Sequence, residues 1–158
     1  MIDIRLADYQ SSDDGKNIIT LLNAYAEDPM GGGQPLPQYT REHLVGKLAE
    51  HNAITLLAFV DDQAAGILNG FWGFSSFACR PLINIHDLAV LKPYRGMGLS
   101  RQLMQELEII GRERDCCKLT LEVLSGNTTA KAAYQTFGFA GYELDPGKGQ
   151  ALFWEKKL

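Results

Sequence analysis

The sequence is poor in the features that mark several large protein classes. Its three cysteines (Cys79, Cys116, Cys117) are too few for a disulfide framework and fit a reducing compartment. The three histidines are scattered, with no zinc-site spacing to a cysteine or to each other, so no metal is expected. No apolar run approaches the ~20 residues needed to span a bilayer. The N-terminus, MIDIRLADYQ, is acidic and alternating, which does not fit a signal peptide. The expectation is a cytoplasmic protein with no membrane partner. Positive charge is also in short supply: 15 Lys and Arg against 19 Asp and Glu give a net charge of −4, which argues against a nucleic-acid partner.

What is present describes an ordinary folded chain. With 158 residues, 46% hydrophobic and 22% charged, the composition predicts a single domain over 1–158 with a substantial core. Charge is unevenly placed. Residues 1–40 hold six acids (Asp3, Asp8, Asp13, Asp14, Glu27, Asp28) and two bases (Arg5, Lys16), so the whole net charge lies there. This is either a solvated acidic surface or a field that attracts a cationic substrate.

Residues 2–7 alternate and predict a strand. Residues 14–27 carry Ile18, Leu21, Leu22 and Tyr25 at helical spacing. The stretch DPMGGGQPLPQ, 28–38, breaks regular structure, and a glycine-rich loop of this kind can border a site as a lid. A second helix follows, with Thr40 as its cap and Leu44 and Leu48 on one face. Residues 54–60 and 64–77 predict two strands around a tight turn. Residues 82–91, apolar on both sides, and 117–124, with Leu119, Leu121 and Val123 on one face and Thr120, Glu122 and Leu124 on the other, predict central strands. On alternation, His86 shares a face with Leu88 and Val90, and Asp87 points the other way. Helices are expected over 97–113 and 128–137, the latter ending on Gly138, and closing strands near 139–145 and 150–156. The order predicts an α/β (mixed α+β) fold covered by helices on both faces.

One turn stands out. Arg95-Gly96-Met97-Gly98-Leu99-Ser100 lies between a strand and a helix. A helix N-terminus offers unpaired N–H groups and partial positive charge, and glycine leaves no Cβ in the way of an approaching anion. The stretch reads as a phosphate cradle or as a plain structural turn. It has neither the Gly-Lys-Ser/Thr of a P-loop nor the third glycine of a dinucleotide-binding fingerprint.

A second stretch decides between these readings. Asn127, Ala130, Tyr134, Gly138 and Phe139 match Asn-x-x-Ala-x-x-x-Tyr-x-x-x-Gly-Phe, and the turn matches Gln/Arg-x-x-Gly-x-Gly/Ala with Ser100 in the last place. Together, over roughly 84–139, they closely resemble the GNAT superfamily of acyl-CoA N-acyltransferases. The resemblance implies a central mixed, mostly antiparallel sheet of 6–7 strands flanked by about four helices. It also implies acetyl-CoA as cosubstrate and transfer of its acetyl group to a primary amine in a ternary complex. Homodimers are common in the family. The matching coenzyme positions are Leu88, Ala89 and Val90 for the pantetheine arm, Arg95, Gly96, Met97, Gly98, Leu99, Ser100 and Arg101 for the pyrophosphate, and Asn127 and Tyr134. The strands on either side of the arm must splay to admit it. Serine at 100 is small and leaves the cradle intact.

By the same resemblance Tyr134 protonates or hydrogen-bonds the leaving thiolate, although periodicity alone makes it part of a core stripe. Three residues compete as general base. Glu122 stands where some family members that acetylate protein N-termini have a glutamate, His86 where polyamine acetyltransferases have one, and Asp87 lies beside it. Asp28, Trp72 and Phe74 are candidates for lining the amine pocket. A small-molecule amine is the preferred acceptor, and the acidic first quarter favours a cationic one. The rivals are a peptide or protein amine, a longer acyl donor, and a non-catalytic sensor of acetyl-CoA.

Overall fold

The computed structural model describes residues 1–158. The chain divides into two compact units, Met1–Leu121 and Glu122–Leu158.

The first unit is a five-stranded sheet in the order β1-β2-β3-β4-β5, formed by β1 (Ile2–Leu6), β2 (Ile54–Val60), β3 (Gln63–Ser75), β4 (Arg80–Val90) and β5 (Leu119–Leu121). All pairs are antiparallel except β4 with β5. Period-two alternation sends alternate residues to opposite faces. On one face, Leu57 and Ile67 pack with Ile18, Leu21 and Leu22 of α1 (Ser12–Glu27) and Leu48 of α2 (Gln38–Glu50). On the other face lies α3 (Leu99–Glu113), whose stripe Leu99, Leu103, Met104 and Leu107 is fully buried. The β2–β3 turn places Asp61 and Asp62 at φ 47° and 64°, a conformation that acidic residues tolerate better than most.

Helix starts follow local chemistry. Ser11 caps α1 by accepting from the Asp14 N–H. The second helix begins at Gln38 after Pro37, with no side-chain cap, so the expected cap Thr40 lies inside its first turn. Proline presets the entry angle there without a capping hydroxyl. The glycine-rich loop is tied to the end of α1: Asp28 O accepts from Gly31 and Gly33, Ala26 O from Gln34, and Asn23 Oδ1 from Leu36.

The second unit holds α4 (Thr128–Phe137) and a two-stranded ribbon, β6 (Glu143–Asp145) with β7 (Gly149–Gln150). Seven strands and four helices are present, with the strands divided five and two. The strand expected over 150–156 is confined to its first residue, because beyond Gln150 only Ala151 N–H to Tyr142 O continues the pairing. The strand expected over 117–124 shrinks to 119–121, the three residues that pair with Ile83–Ile85. No helix is long and apolar enough to cross a membrane.

Candidate active site

Beyond Ile85, the partner of Leu121, β4 runs on to Val90 with no strand on its outer edge. Its inner edge is paired with β3 except at His86, and Leu91 N–H still donates to Ala65 O at 2.8 Å. Along a strand the N–H and C=O of one residue share an edge and those of the next take the other. Ala89, like Leu91, therefore points to β3, and its oxygen lies 3.1 Å from where a Cβ on Gly66 would stand. Leu88 and Val90 present their polar groups to the unpaired edge. Of the three residues expected to meet a pantetheine arm, Leu88 turns both backbone groups to this edge and Val90 its N–H, the Val90 oxygen being taken by Arg95.

That edge leads into the turn. A 3₁₀ turn, Lys92–Tyr94, is followed by Gly96 and Gly98 at φ 83° and 78°, and a Cβ at either glycine would meet nothing within 4 Å. The left-handed backbone requires glycine, and the space in front of it is open. Gly98 is the N-cap of α3 and supplies no side-chain acceptor. The first intrahelical bond is Gln102 N–H to Gly98 O, so the N–H groups of Leu99, Ser100 and Arg101 have no partner within the helix. The helix expected from 97 thus starts at Leu99, which leaves Met97 exposed in the turn. An anionic group fits this cradle. Arg95 reaches back from it: Nε donates to Val90 O (3.1 Å) and Nη2 to Asp28 Oδ2 (3.0 Å). Asp28 Oδ1 also accepts from Met30 N–H, and this bond, with Arg95 second, holds its carboxyl below the ordinary range.

Two of the base candidates, His86 and Asp87, lie on one face, against the expectation that they diverge. Asp87 stands opposite Asn69 and Ile85 opposite Gly70, so His86 is an extra residue, a β-bulge. Its ring meets Phe71 edge-on at 5.6 Å, and Phe71 packs on the α1–α2 core. On this face Asp87 Oδ2 accepts from Asn69 Nδ2 (3.0 Å), Asn69 Oδ1 from Thr55 Oγ1 (2.6 Å), and the Tyr9 hydroxyl lies 2.9 Å from Thr55 Oγ1. In the last turn of α1, half-buried Tyr25 is pushed up, first by burial and then by the charges of Asp87 and Asp28. Asn69, Thr55, Tyr9 and Tyr25 were not singled out from sequence. The available signal was an asparagine within the apolar run GILNGF.

Trp72 and Phe74 do not join this group. Both alternate to the α3 face, where Trp72 lines a hollow of about 450 Å³ with Pro81, Ile110 and Arg114, and Phe74 is exposed. In the second unit, the fixed residues of the motif build a capped helix. Asn127 Oδ1 accepts from Ala130 N–H (3.2 Å), Gly138 ends α4 at φ 115°, and Phe139 N–H donates to Tyr134 O (2.9 Å). Tyr134 is half-buried with its ring edge-on to Phe139. Glu122 stands one residue past the end of β5 and is exposed.

The chain belongs to the acetyltransferase (GNAT) family, whose profile matches residues 18–139. It is 39% identical to streptothricin acetyltransferase of Streptomyces lavendulae over 87 residues, 55% of this chain and 46% of that protein. It is 28% identical to thialysine N-epsilon-acetyltransferase of Caenorhabditis elegans over 91 residues, 58% of this chain and 56% of that protein. The chain spans about half the length of these curated relatives. An aminoglycoside acetyltransferase from an uncultured soil metagenomic sample shares the fold, with a TM-score of 0.80 at 18% identity over 99% of this chain and 96% of that one.

Proposed function

We propose that the protein transfers the acetyl group of acetyl-CoA to a primary amine of a small cationic molecule, by direct attack in a ternary complex. The observation that carries this reading is the continuous run from the unpaired edge of β4 into an uncapped helix. Backbone groups at Leu88 and Val90 suit an amide-bearing arm. The cradle from Gly96 to Arg101 suits a pyrophosphate, with charge from Arg95 and Arg101. Asn127, its Oδ1 engaged in the helix cap, offers Nδ2 to the arm. The two relatives named for streptothricin and thialysine support a small cationic acceptor.

Acetyl-CoA supplies an activated acetyl group, and its thiolate departs as the amine nitrogen bonds to the carbonyl carbon. The residues handle the protons. An ammonium with pKa ~10.4 costs ~4–5 kcal/mol to deprotonate at pH 7. Asp87, kept as an acceptor by Asn69, anchors the ammonium, and the neighbouring His86 takes its proton; Glu122 is the rival base. Asp28 lines the amine side. Tyr134 donates to the departing sulfur. Full transfer from a phenol of ordinary pKa ~10 to a thiol of ~8.5 is uphill by ~2 kcal/mol, so a strong hydrogen bond is the form this donation takes.

The test is thiol release, followed with a thiol-reactive dye, from acetyl-CoA with streptothricin, an aminoglycoside, thialysine and a peptide N-terminus. Release with one of the small cationic amines is expected, together with calorimetric binding of acetyl-CoA. Binding without release for any amine makes the protein a coenzyme sensor, and absence of binding heat removes the cradle.

A further inference from the structure

We infer that Asn69 is a positioning residue for the amine site, acting through Asp87 at the head of a hydrogen-bond chain that crosses three strands. The inference rests on the role proposed above for Asp87 and adds the device that keeps that role in place. Thr55, Asn69 and Asp87 occupy one rung of β2, β3 and β4: Thr55 pairs with Asn69 and Asn69 with Asp87. Thr55 and Asn69 are each 1% exposed. The directions of the bonds from Thr55 to Asp87 follow from the carboxylate at the end of the chain. A carboxylate only accepts, so the asparagine turns its NH₂ to Asp87. Its oxygen then faces Thr55 and must accept from that hydroxyl. The threonine proton is thereby spent, and the Tyr9 hydroxyl donates, its one proton lying between Thr55 Oγ1 (2.9 Å) and Ala53 O (2.8 Å).

The chain therefore runs donor to acceptor from Thr55 through Asn69 to Asp87. Its end holds Oδ2 and leaves Oδ1 to an amine. The rung thus fixes the rotamer of Asp87 at the bulge that carries His86. A wholly apolar rung would bind the three strands equally well, so the asparagine serves the edge that faces the site.

The test is a double-mutant cycle on the full chain, using whichever amine of the panel has the highest kcat/KM. Asn69→Leu is expected to lower kcat/KM for the amine by about tenfold or more and to leave acetyl-CoA affinity within about twofold. In an Asp87→Asn background the same change is expected to alter kcat/KM by less than about twofold, because there is no carboxylate left to orient. Thr55→Val is nearly isosteric, cuts the chain one link earlier, and carries the same cycle if Asn69→Leu does not fold; a smaller loss, about threefold, is expected and should also vanish with Asp87→Asn. Losses that add in full on Asp87→Asn overturn the positioning role and leave the proposed function standing. If Asp87→Asn is silent while amines are still acetylated, the anchoring role of Asp87 falls and this inference with it. If no amine is acetylated, the proposed function falls first.

Discussion

Asp14 is the one charged side chain fully buried against the core, 2% exposed. It accepts from both Nη atoms of Arg5 at 2.7 Å and from Asp8 N–H at 2.8 Å. Arg5 also lies 4.7 Å over the Phe59 ring. The hydrogen bonds from Arg5, more than burial opposes them, hold the Asp14 carboxyl below the ordinary carboxylate range. A carboxyl depressed in the folded state stabilises the fold above its unfolded pKa, and that stability is lost as pH falls through the folded value. Asp14→Asn is expected to cost about 2 kcal/mol at pH 7, less than a fully buried pair because Arg5 is half exposed. The difference in Tm from the parent protein should shrink as pH is lowered from about 5 towards 2. A difference constant across that range refutes the assignment. Tyr134 carries the chemical prediction at the same scale. Tyr134→Phe is expected to lower turnover more than about tenfold with acetyl-CoA affinity nearly unchanged, and an unchanged rate removes the phenol from the mechanism.

At the scale of elements, the end of α1 and the turn before α3 meet through Asp28 and Arg95. The loop after α1 can lie this close because Gly31 has no Cβ, which would stand 1.9 Å from Tyr25 O. Arg95 is thus held by a carboxylate and by Val90 O, the two neighbours a bound coenzyme must compete with. Partly exposed pairs are worth ~0.2–1 kcal/mol, so Asp28→Asn should tighten acetyl-CoA binding by about two- to fivefold in calorimetry. Weakened binding would mean that the pair presents Arg95 rather than withholds it. Helices and long strands were legible because their signals are periodic and buried: Ile18, Leu21 and Leu22 in α1, Leu103 and Leu107 in α3, and the glycine that ends α4. The turn and the motif helix were legible because glycine and asparagine do special backbone work there. What escaped depended on pairing at a distance. One inserted residue at His86 reverses the facing that alternation assigns, and nothing local marks it. The strand expected over 117–124 pairs with β4 only at 119–121, which its composition alone does not mark. Asn69 interrupts an apolar run, and only its neighbours Thr55 and Asp87 on adjacent strands distinguish it.

For the whole molecule, the question is what the acidic first quarter does. Its charge is largely answered from nearby: Asp14 by Arg5, Asp13 by Lys16 at 3.4 Å, and Asp28 by Arg95 from outside the segment. Asp3, Asp8 and Glu27 remain as exposed acids with no ion pair. Three spread charges produce a weak field, and salt at 0.15 M screens beyond ~8 Å. On the function proposed above, capture of a cationic amine falls to contacts at Asp87 and Asp28, which salt screens far less. With acetyl-CoA saturating, raising salt from about 0.05 to 0.3 M should lower kcat/KM for a polycationic amine by about threefold or less. A loss of tenfold or more would assign the acidic segment a steering role at long range, and charge reversal at Asp3, Asp8 and Glu27 would then reproduce it at low salt.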